Sequence, residues 1–554
     1  MTSIKWDIKE HPCKYHHNVK KVYDNEIIRN RKKFTSWIGK ISEFYFKQNL
    51  NWHISTPASR NPFVSDLYKN ICVTKTFLQL QKKIKNLKII VYSKSHFNLL
   101  NSLKKNQNIK IILKKNSMDF VFLKNFFKAI FFQIILIFFI NLIIKKKKIQ
   151  EKITIIDFFH IEENFYNNRY YRQISKDKFL NNKKVYFIPT FISGMGLLKT
   201  LRIIYKLKDN KNILFKEHFL TYTDLLKSIL YYKNLRKFKR DYTKYERLDF
   251  SKMIFEEIKS DVQVSTILIS KLNYYFVKNL KDKKIEIKKI VNWFENQQID
   301  RAWNFAFRKF YPKSITLGYQ GFTLYPQYMC SHPSKSEANC KVIPEKTIVI
   351  GKAFINSRKE FFKQIKIIQG PALTFQHLFE NKKYKEKNKN KILIILTGYL
   401  HLDKILIQWG QRVAEQILEN KIIIKPHPHL PIKKVLLDEK LNNQILVSNL
   451  PLNEIFREIK IAVSCGPTSA TIESLAYGLR LIIPVLDIND KLIFDMIKIN
   501  KKILKYANNE EQLISNIEKI TKKKKDFILK KEKSFTLRNY LFNKTNEKNL
   551  RLFY

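Results

Sequence analysis

The chain has 554 residues, too many for one hydrophobic core, so two or more domains are expected. Hydrophobic residues make up 45% of it, which excludes a disordered chain. The formal net charge is +58, but the excess is lysine spread along the whole chain, without an arginine-rich arm or a nucleic-acid-binding motif. We attribute the charge to a solvated surface with a general attraction to anionic lipids and nucleotides, and we expect no nucleic-acid partner.

The cysteines are scattered, and none belongs to a CxxC pair. They are Cys13, Cys72, Cys330, Cys340 and Cys465. This pattern suits a reducing cytoplasm rather than a disulfide framework, and it predicts no zinc site and no other cofactor. The N-terminal residues lack the apolar core of a signal peptide, so secretion is not expected.

Short apolar runs typical of buried strands occur throughout the first part of the chain. They lie at Ile89–Tyr92, Ile109–Leu113, Ile153–Asp157, Val185–Ile188, Ile290–Phe294, Ser314–Gly318 and Thr347–Ile350. Helical material from about 197 to 280 separates two groups of them. We predict an N-terminal α/β domain over residues 1–355 that carries large insertions.

One of these insertions is a hydrophobic segment at about 120–148. As a helix, its apolar centre Ala129–Ile144 would be about 24 Å long, shorter than a bilayer core of ~30 Å. Extension toward Phe120 adds length but also two lysines, which would have to snorkel. A helix buried in the protein, a segment in the membrane interface and a spanning or re-entrant segment all remain open. The lysines at 145–148 favour membrane contact from the cytoplasmic side.

The last third of the chain alternates regularly between strands and helices. Its strands are expected at Lys391–Thr397, Lys421–Lys425, Gln444–Val447, Ile461–Ser464, Leu481–Val485 and Lys502–Tyr506. This spacing predicts a parallel, doubly wound sheet in a C-terminal domain over 391–554. Residues 356–390 are predicted to form the linker, which ends in the charged run Asn381–Lys391.

Two loops of this domain have the composition of a phosphate-binding site. Lys425-Pro426-His427-Pro428 follows a predicted strand, and its prolines hold His427 on a stiff loop where open parallel sheets bind ligands. The stretch from Ser464 to Thr471 joins the predicted strand Ile461–Ser464 to the helix that follows it.

In that second loop, Gly466 allows close approach of a ligand, while Thr468 and Ser469 can add hydroxyl donors to the backbone N–H groups of the helix start. Ordinary turn and N-cap roles are the alternatives for these residues. Glu473 can accept hydrogen bonds from a ribose or complement the helix dipole.

These motifs, followed by ESLAYGLRLIIPV, resemble the donor-binding domain of GT-B glycosyltransferases. The resemblance is to bacterial sialyltransferase-like, capsule Kdo-transferase-like and surface-carbohydrate (O-antigen) biosynthesis proteins. It implies an α/β fold of two Rossmann-like domains facing a cleft, with helical insertions in the N-terminal half. It also implies that His427, Thr468 and Ser469 contact the donor nucleotide. From the properties of the residues themselves we add Lys425, Gly466 and Glu473 to this predicted site. Teichoic-acid glycerophosphotransferases are a weaker match, because SCGPTS replaces their Asp-Tyr-Ser-Ser stretch.

The N-terminal half shares two further passages with the surface-carbohydrate proteins. Trp293–Gln297 and Leu317–Phe322 are similar to a "W-E-x-Q … G-Y-Q-H/G" passage, and Trp52–Ser65 is similar to an N-terminal motif of that group. The resemblance therefore implies a cleft or acceptor role for the following residues. They are Gly318, Gln320, Gly321, Arg60 and Asn61.

Inverting glycosyl transfer needs a general base near the acceptor hydroxyl. We favour Glu295 as this base and His427 as the catalytic donor to the leaving phosphate. Asp157, His160 and Glu162 are the alternatives to Glu295. GT-B enzymes usually work without a bound metal, and the absence of a clear DxD motif fits that.

The resemblance predicts transfer from a nucleotide-sugar, with a weak preference for a CMP-sugar, to a glycan or lipid-linked acceptor at the inner face of the cytoplasmic membrane. The alternatives are transfer of another activated group, such as glycerol phosphate, and a non-catalytic membrane- or polyanion-binding protein.

Overall fold

The computed structural model describes most of the chain. The described residues are 4–114, 119–149, 152–159, 170–171, 174, 184–191, 195–230, 244–261, 265–380, 391–436, 440–466, 468–500, 503–522 and 531–554. The charged run at 381–390 and two of the alternative bases, His160 and Glu162, lie outside them.

The first unit is a small parallel sheet covered by helices. Its strands are β1 (Ile4–Asp7), β2 (Leu87–Val91) and β3 (Lys110–Leu113), paired in that order. Its helices are α1 (His17–Tyr45), α2 (Leu50–His53), α3 (Thr56–Ser59), α4 (Leu67–Leu80) and α5 (Lys94–Leu103). The apolar stripe of the 29-residue helix α1 faces this sheet and packs against α4. Sequence reasoning predicted β2 and β3 and missed β1.

The second unit contains a six-stranded sheet in which every pairing is parallel, in the order β11-β10-β9-β8-β4-β5. Its strands are β4 (Ile153–Phe159), β5 (Val185–Thr190), β8 (Ile287–Trp293), β9 (Ile315–Gln320), β10 (Lys346–Val349) and β11 (Lys366–Gln369). The two-residue strands β6 (Lys244–Tyr245) and β7 (Leu248–Asp249) form a separate hairpin. Of the six strands of the sheet, β11, inside the segment predicted as linker, was missed from the sequence, and the hairpin of β6 and β7 was missed as well.

Helices of this unit lie between its strands and in the long insertion after β5. They are α6 (Asp119–Ile143), α7 (Leu197–Leu207), α8 (Tyr222–Ile229), α9 (Ser251–Ser260), α10 (Ser265–Asp282), α11 (Gln298–Phe310), α12 (Lys335–Asn339) and α13 (Ala353–Arg358).

The third unit is a six-stranded parallel sheet in the order β14-β13-β12-β15-β16-β17. Its strands are β12 (Lys391–Ile395), β13 (Ile422–Lys425), β14 (Ile445–Val447), β15 (Ile459–Ser464), β16 (Arg480–Pro484) and β17 (Leu504–Ala507). By order of appearance this is 3-2-1-4-5-6, the Rossmann order. The central strands are nearly continuous runs of Ile, Leu and Val because helices cover both faces.

The helices of the third unit follow its strands along the chain, and two more lie in the C-terminal tail. They are α14 (Leu400–Gln416), α15 (Ile432–Leu436), α16 (Leu452–Ile455), α17 (Ser469–Tyr477), α18 (Asn489–Met496), α19 (Glu510–Lys522), α20 (Lys531–Leu541) and α21 (Glu547–Leu550).

In the second and third units, the carboxyl ends of the strands are directed toward each other. Tyr325, on the loop after β9, marks the contact. Burial raises the pKa of its phenol, and the nearby carboxylates of Glu295 after β8 and Glu473 in α17 raise it further. Tyr325 is therefore close enough to interact electrostatically with a carboxylate of each unit. This is the predicted GT-B architecture of two Rossmann-like units around a cleft.

The C-terminal tail returns to the second unit. The Asn543 N–H donates to Ile350 O at 2.7 Å, and the Ala372 N–H donates to Asn543 O at 2.8 Å. The backbone near Leu541 passes so close to Gly351 that a Cβ there would lie 1.9 Å from the Leu541 oxygen. The tail thus continues the packing of the second unit.

The hydrophobic segment forms α6, whose two sides differ. One side packs into the protein through Ala129, Phe132, Leu136, Ile137 and Ile140, and the other exposes Phe127, Phe131, Ile134, Phe138 and Leu142. Among the described residues, Lys124–Ile143 is the one helical stretch long and apolar enough to cross a membrane, and 33% of its most apolar window is buried in the protein. Its contact with a membrane stays a prediction.

Candidate functional site

A glycine and a histidine contact each other at the carboxyl ends of the strands of the third sheet. Gly398, after β12, has a φ of +84°, and a Cβ at this position would lie 2.6 Å from the Nδ1 atom of His427, after β13. The His427 ring therefore rests directly on the Gly398 backbone. A glycine is needed here both for the left-handed backbone and for this close approach.

The Gly398 turn is held by Asp403, which is fully buried in the first turn of α14. Its carboxylate accepts hydrogen bonds from the Thr397 N–H at 2.6 Å, the Thr397 hydroxyl at 2.8 Å and the Gly398 N–H at 3.0 Å. Asp403 fixes the turn on which His427 rests. The sequence analysis did not identify it, although an acidic residue in the first turn of a helix after a strand is a recognisable signal.

His427 is oriented as a hydrogen-bond donor. Its Nδ1 atom accepts the N–H of His429 at 3.3 Å, so the neutral ring carries its proton on Nε2. Burial lowers the pKa of His427 and the neighbouring His429 lowers it further, while Asp403 opposes them. Within the described part of the chain the Nε2–H has no partner. The neutral ring therefore offers its Nε2–H as a donor to a bound group.

Lys425 is tied to the neighbouring loop. Its Nζ donates to the carbonyl oxygen of Asn449, after β14, at 3.0 Å, and burial lowers its pKa. The structure therefore gives Lys425 a role in joining the exits of β13 and β14. Its predicted contact with a nucleotide stays a prediction.

In the second predicted loop, one hydroxyl caps a helix and another is an available hydrogen-bond donor. Thr468 is the N-cap of α17 and accepts the Thr471 N–H at 3.3 Å, so its hydroxyl has the ordinary capping role. Ser469 is the first helical residue, and its hydroxyl makes no hydrogen bond among the described residues. The first-turn N–H groups also lack intrahelical acceptors. Ser469 and this helix start can therefore donate to an anion.

Gly466 is positioned by a buried aspartate that sequence reasoning missed. With a φ of +72°, Gly466 donates its N–H to Asp490 Oδ1 at 2.5 Å, and Asp490 Oδ2 accepts the N–H groups of Leu486 and Asp487 at 2.8 Å each. Burial raises the pKa of Asp490 to about 7, and Asp487 adds to the shift. Asp490 thus holds the loops after β15 and β16 together.

Glu473 pairs with a residue from the segment that connects the two facing units. Its Oε2 atom lies 3.0 Å from Nε2 of His377. Burial opposes protonation of His377, but the hydrogen bond and charge of Glu473 outweigh it and raise the pKa of the ring. The Oε1 atom of Glu473 has no hydrogen-bond partner in the described chain and remains able to accept from a hydroxyl. No sequence signal pointed to His377.

On the opposite side of the cleft, Glu295 is held firmly after β8. It accepts hydrogen bonds from Trp293 Nε1 at 2.8 Å, Gln297 Nε2 at 2.5 Å and the Tyr328 hydroxyl at 3.0 Å. A carboxylate has about four lone-pair sites, so one remains for a further proton donor. Glu295 is half-buried and therefore reachable. The geometry is compatible with a base, but no contact in the structure tests that role.

The alternative base Asp157 is buried in the sheet. It accepts the Thr190 hydroxyl at 3.1 Å, and burial raises its pKa to about 6, with Lys216 opposing the shift. Asp157 is fully buried in this conformation, and its role as the alternative base stays a prediction.

The predicted cleft residues of β9 act mainly in packing. A Cβ on Gly318 would lie 2.6 Å from Pro344, and one on Gly321 would lie 2.4 Å from the Trp293 ring. Gln320 is fully buried and donates to Ser331 O at 2.8 Å, while its Oε1 atom has no partner among the described atoms. These residues shape the wall behind Glu295.

Arg60 and Asn61 are buried rather than exposed to the cleft. Arg60, in a left-handed conformation with a φ of 55°, forms a bidentate pair with Glu337, which also binds Arg301. Asn61 accepts the Phe63 N–H at 3.0 Å and shapes the turn. The side chain of Arg60 contacts Thr35 in α1 and Glu337 in α12, so it joins the first unit to the second. Its predicted acceptor role stays a prediction.

All five cysteines are free thiols. One of them, Cys13, lies near His11 and His401, with one ligand atom from each residue within 4.8 Å of the others. Sequence spacing did not reveal this cluster, because His401 is far from the other two along the chain.

No family model matches this chain, and no curated protein matches it. The solved structures with similar folds include the MurG protein of Acinetobacter baumannii, with a TM-score of 0.40 and 10% identity over 73% of this chain and 98% of that one. A glycosyltransferase from Rickettsia africae has a TM-score of 0.40 and 13% identity over 73% and 98% of the two chains. A putative UDP-N-acetylglucosamine 2-epimerase from Listeria monocytogenes has a TM-score of 0.40 and 10% identity over 71% and 92%. Similarity at this level carries no argument about function.

Proposed function

We propose that this chain is a glycosyltransferase that binds a nucleotide-sugar at the carboxyl edge of the third sheet. The observation that supports it is a matched set of groups at that edge. The Nε2–H of His427, the Ser469 hydroxyl and the start of α17 supply donors for phosphate oxygens, while Glu473 supplies an acceptor for ribose hydroxyls. Gly398 keeps the floor between them free of a side chain.

In the proposed reaction, the acceptor hydroxyl gives its proton to Glu295 as its oxygen bonds to the anomeric carbon of the sugar. The bond from that carbon to the phosphate oxygen breaks, and the nucleotide leaves with the electron pair. Hydrogen bonds from His427 and Ser469 stabilise the negative charge that develops on the phosphate. The three donors that hold Glu295 fix its direction while one lone pair remains for the acceptor proton.

The direct test is thermal unfolding of the full chain with CMP, CDP, UDP and GDP. A nucleotide at 100 times its dissociation constant adds about 2.7 kcal/mol of stability. We expect one nucleotide class to stabilise the wild type and His427→Ala to lose that effect. CMP would point to a sialic-acid or Kdo-type donor.

His429→Ala is the matched control, because it removes a neighbouring imidazole but keeps the backbone N–H that orients His427. Stabilisation by none of the four nucleotides, in a folded sample, would rule out the proposed donor site. Equal stabilisation of wild type and His427→Ala would rule out the role of His427.

We also propose that α6 places the enzyme on the inner face of the cytoplasmic membrane, where a lipid-linked or growing glycan acceptor would be available. The exposed side of α6 presents Phe127, Phe131 and Phe138, and exposed lysines at 145, 146 and 148 follow it. Apolar side chains next to lysines suit a bilayer that contains anionic lipid.

Cosedimentation with vesicles of phosphatidylcholine and phosphatidylglycerol measures this contact. We expect the double variant Phe131→Glu/Phe138→Glu to lose binding. Phe44→Glu is the matched control, since Phe44 is 76% exposed on α1, a helix of the first unit. Unchanged binding of the double variant would contradict the proposal.

A further inference from the structure

The N-terminal segment reaches the third unit at a cluster of metal-ligating side chains. His11 is the N-cap of the 3-10 turn Pro12–Lys14, and Cys13 is the second residue of that turn. Cys13 packs against the core of the third unit. His401 is the second residue of α14, just after the Gly398 turn. Their ligand atoms lie within 4.8 Å of one another, and the two imidazole rings are 4.6 Å apart between centroids.

A carboxylate borders the same cluster. Asp487 Oδ2, on the loop after β16, lies 3.6 Å from His11 Nε2. The Nε2 atom of His401 is buried and has no hydrogen-bond partner among the described residues. Two imidazoles, a thiol and a carboxylate are the donor types that Zn²⁺ binds in four-coordinate sites.

We propose that His11, Cys13 and His401 bind a zinc ion, with Asp487 as the fourth ligand. The ion would join the N-terminal segment to the loops after β12 and β16, which border the proposed nucleotide site. This site goes beyond the proposed transferase activity and does not depend on it.

Zinc binding changes the protonation and the net charge of the site. Cys13 binds as a thiolate and releases its proton to solvent. With the Asp487 carboxylate, the ion and its ligands are then neutral overall, which matters because Lys14 and Lys20 lie close to the cluster. Ligation through His11 Nε2 moves the ring proton to Nδ1, at the cost of the long 3.3 Å contact that Nδ1 makes with the Cys13 N–H. The ligand atoms also have to move closer together, since a tetrahedral zinc site has metal–ligand bonds of about 2.0–2.3 Å.

Titration of the metal-free full chain with Co²⁺, followed by competition with Zn²⁺, tests the site. We expect one Co²⁺ per chain, the strong visible bands of tetrahedral Co²⁺ and a thiolate-to-cobalt charge-transfer band. Cys13→Ser should abolish the charge-transfer band. His401→Ala should weaken Zn²⁺ binding more than about 100-fold, because even partners outside the ligand set contribute 10–100-fold.

The control is His17→Ala, which removes an exposed imidazole of the same segment and should leave stoichiometry and spectrum unchanged. Circular dichroism of each metal-free variant confirms that it is folded. A cobalt spectrum that Cys13→Ser does not change, or Zn²⁺ affinity equal in wild type and His401→Ala, would overturn the proposal. Nucleotide stabilisation, measured separately without metal, reports on the transferase site alone, so failure of one proposal does not imply failure of the other.

Discussion

Replacement of Gly398 by alanine tests how the His427 loop is built. A Cβ at Gly398 would lie 2.6 Å from Nδ1 and 2.7 Å from Cγ of His427. The ring has to move away, and the contact between its Nδ1 atom and the His429 N–H moves with it. We expect Gly398→Ala to lower both stability and nucleotide binding.

The magnitude follows from two separate costs. Alanine at a φ of +84° carries backbone strain of about 1–3 kcal/mol. Displacement of a packed ring adds about 1–3 kcal/mol, as overpacking does elsewhere. Gly196 offers a comparison position, because its φ is also positive, at +83°, and no atom of the described residues lies within 4 Å of the Cβ that alanine would add. Gly196→Ala should therefore have the backbone cost alone.

Urea unfolding of five proteins measures these costs. They are the wild type, Gly398→Ala, His427→Ala, Gly196→Ala and the double variant Gly398→Ala/His427→Ala. In the double variant the clashing ring is absent, so the overpacking part should be recovered as a coupling energy of about 1–3 kcal/mol. Nucleotide stabilisation should fall in Gly398→Ala and stay unchanged in Gly196→Ala.

Two results would refute this reasoning. One is full nucleotide stabilisation of Gly398→Ala, which would mean that the ring position is not needed for binding. The other is additivity of Gly398→Ala and His427→Ala in the free energy of unfolding, which would mean that the two residues do not interact.

Three further outcomes are expected. Asp403→Asn replaces one carboxylate oxygen by an NH₂ group that cannot accept, so urea unfolding should show a loss of about 1.5–3 kcal/mol. Glu337→Gln leaves two buried arginines without their anion, and the same assay should show a loss of about 3–5 kcal/mol or failure to fold. Burial raises the pKa of Asp261 to about 7. Between about pH 4 and 7 the Asp261 carboxyl is therefore protonated in the folded state and ionised in the unfolded state. The free energy of unfolding should fall as pH rises through this range, by up to about 4 kcal/mol. Asp261→Asn should flatten that part of the pH profile, and an unchanged slope would contradict the assignment.

Much of the fold could be predicted from the sequence because the central strands are buried on both faces. Runs such as Lys391–Thr397 and Ile461–Ser464 are continuous apolar stretches between helical patterns, which is the signal of a parallel sheet. β1 and β11 were missed, since their sequences, IKWD and KIIQ, have no apolar run longer than two residues and lie outside the regular strand–helix alternation of the third unit.

The candidate site was only partly predictable. His427 and the helix start at Ser469 follow strands directly, so local sequence reveals them. His377 and Tyr325 reach the cleft through tertiary packing, and their neighbours Glu473 and Glu295 are distant in sequence. Arg60 was expected on the acceptor side of the cleft. The structure shows it buried, because Glu337 neutralises its charge, and its acceptor role stays a prediction.

The return of residues 541–554 to the second unit limits how this protein can be recombined. A contiguous exchange of the whole C-terminal part, from Lys391 onward, would remove the strand-edge contacts that Asn543 makes with Ile350 and Ala372. It would also remove the bond from Lys289 Nζ to the Tyr554 oxygen at 2.6 Å. A chimera that exchanges the third unit should therefore replace residues 391–540, because α20 packs against α17, and keep residues 541–554 with their own N-terminal half.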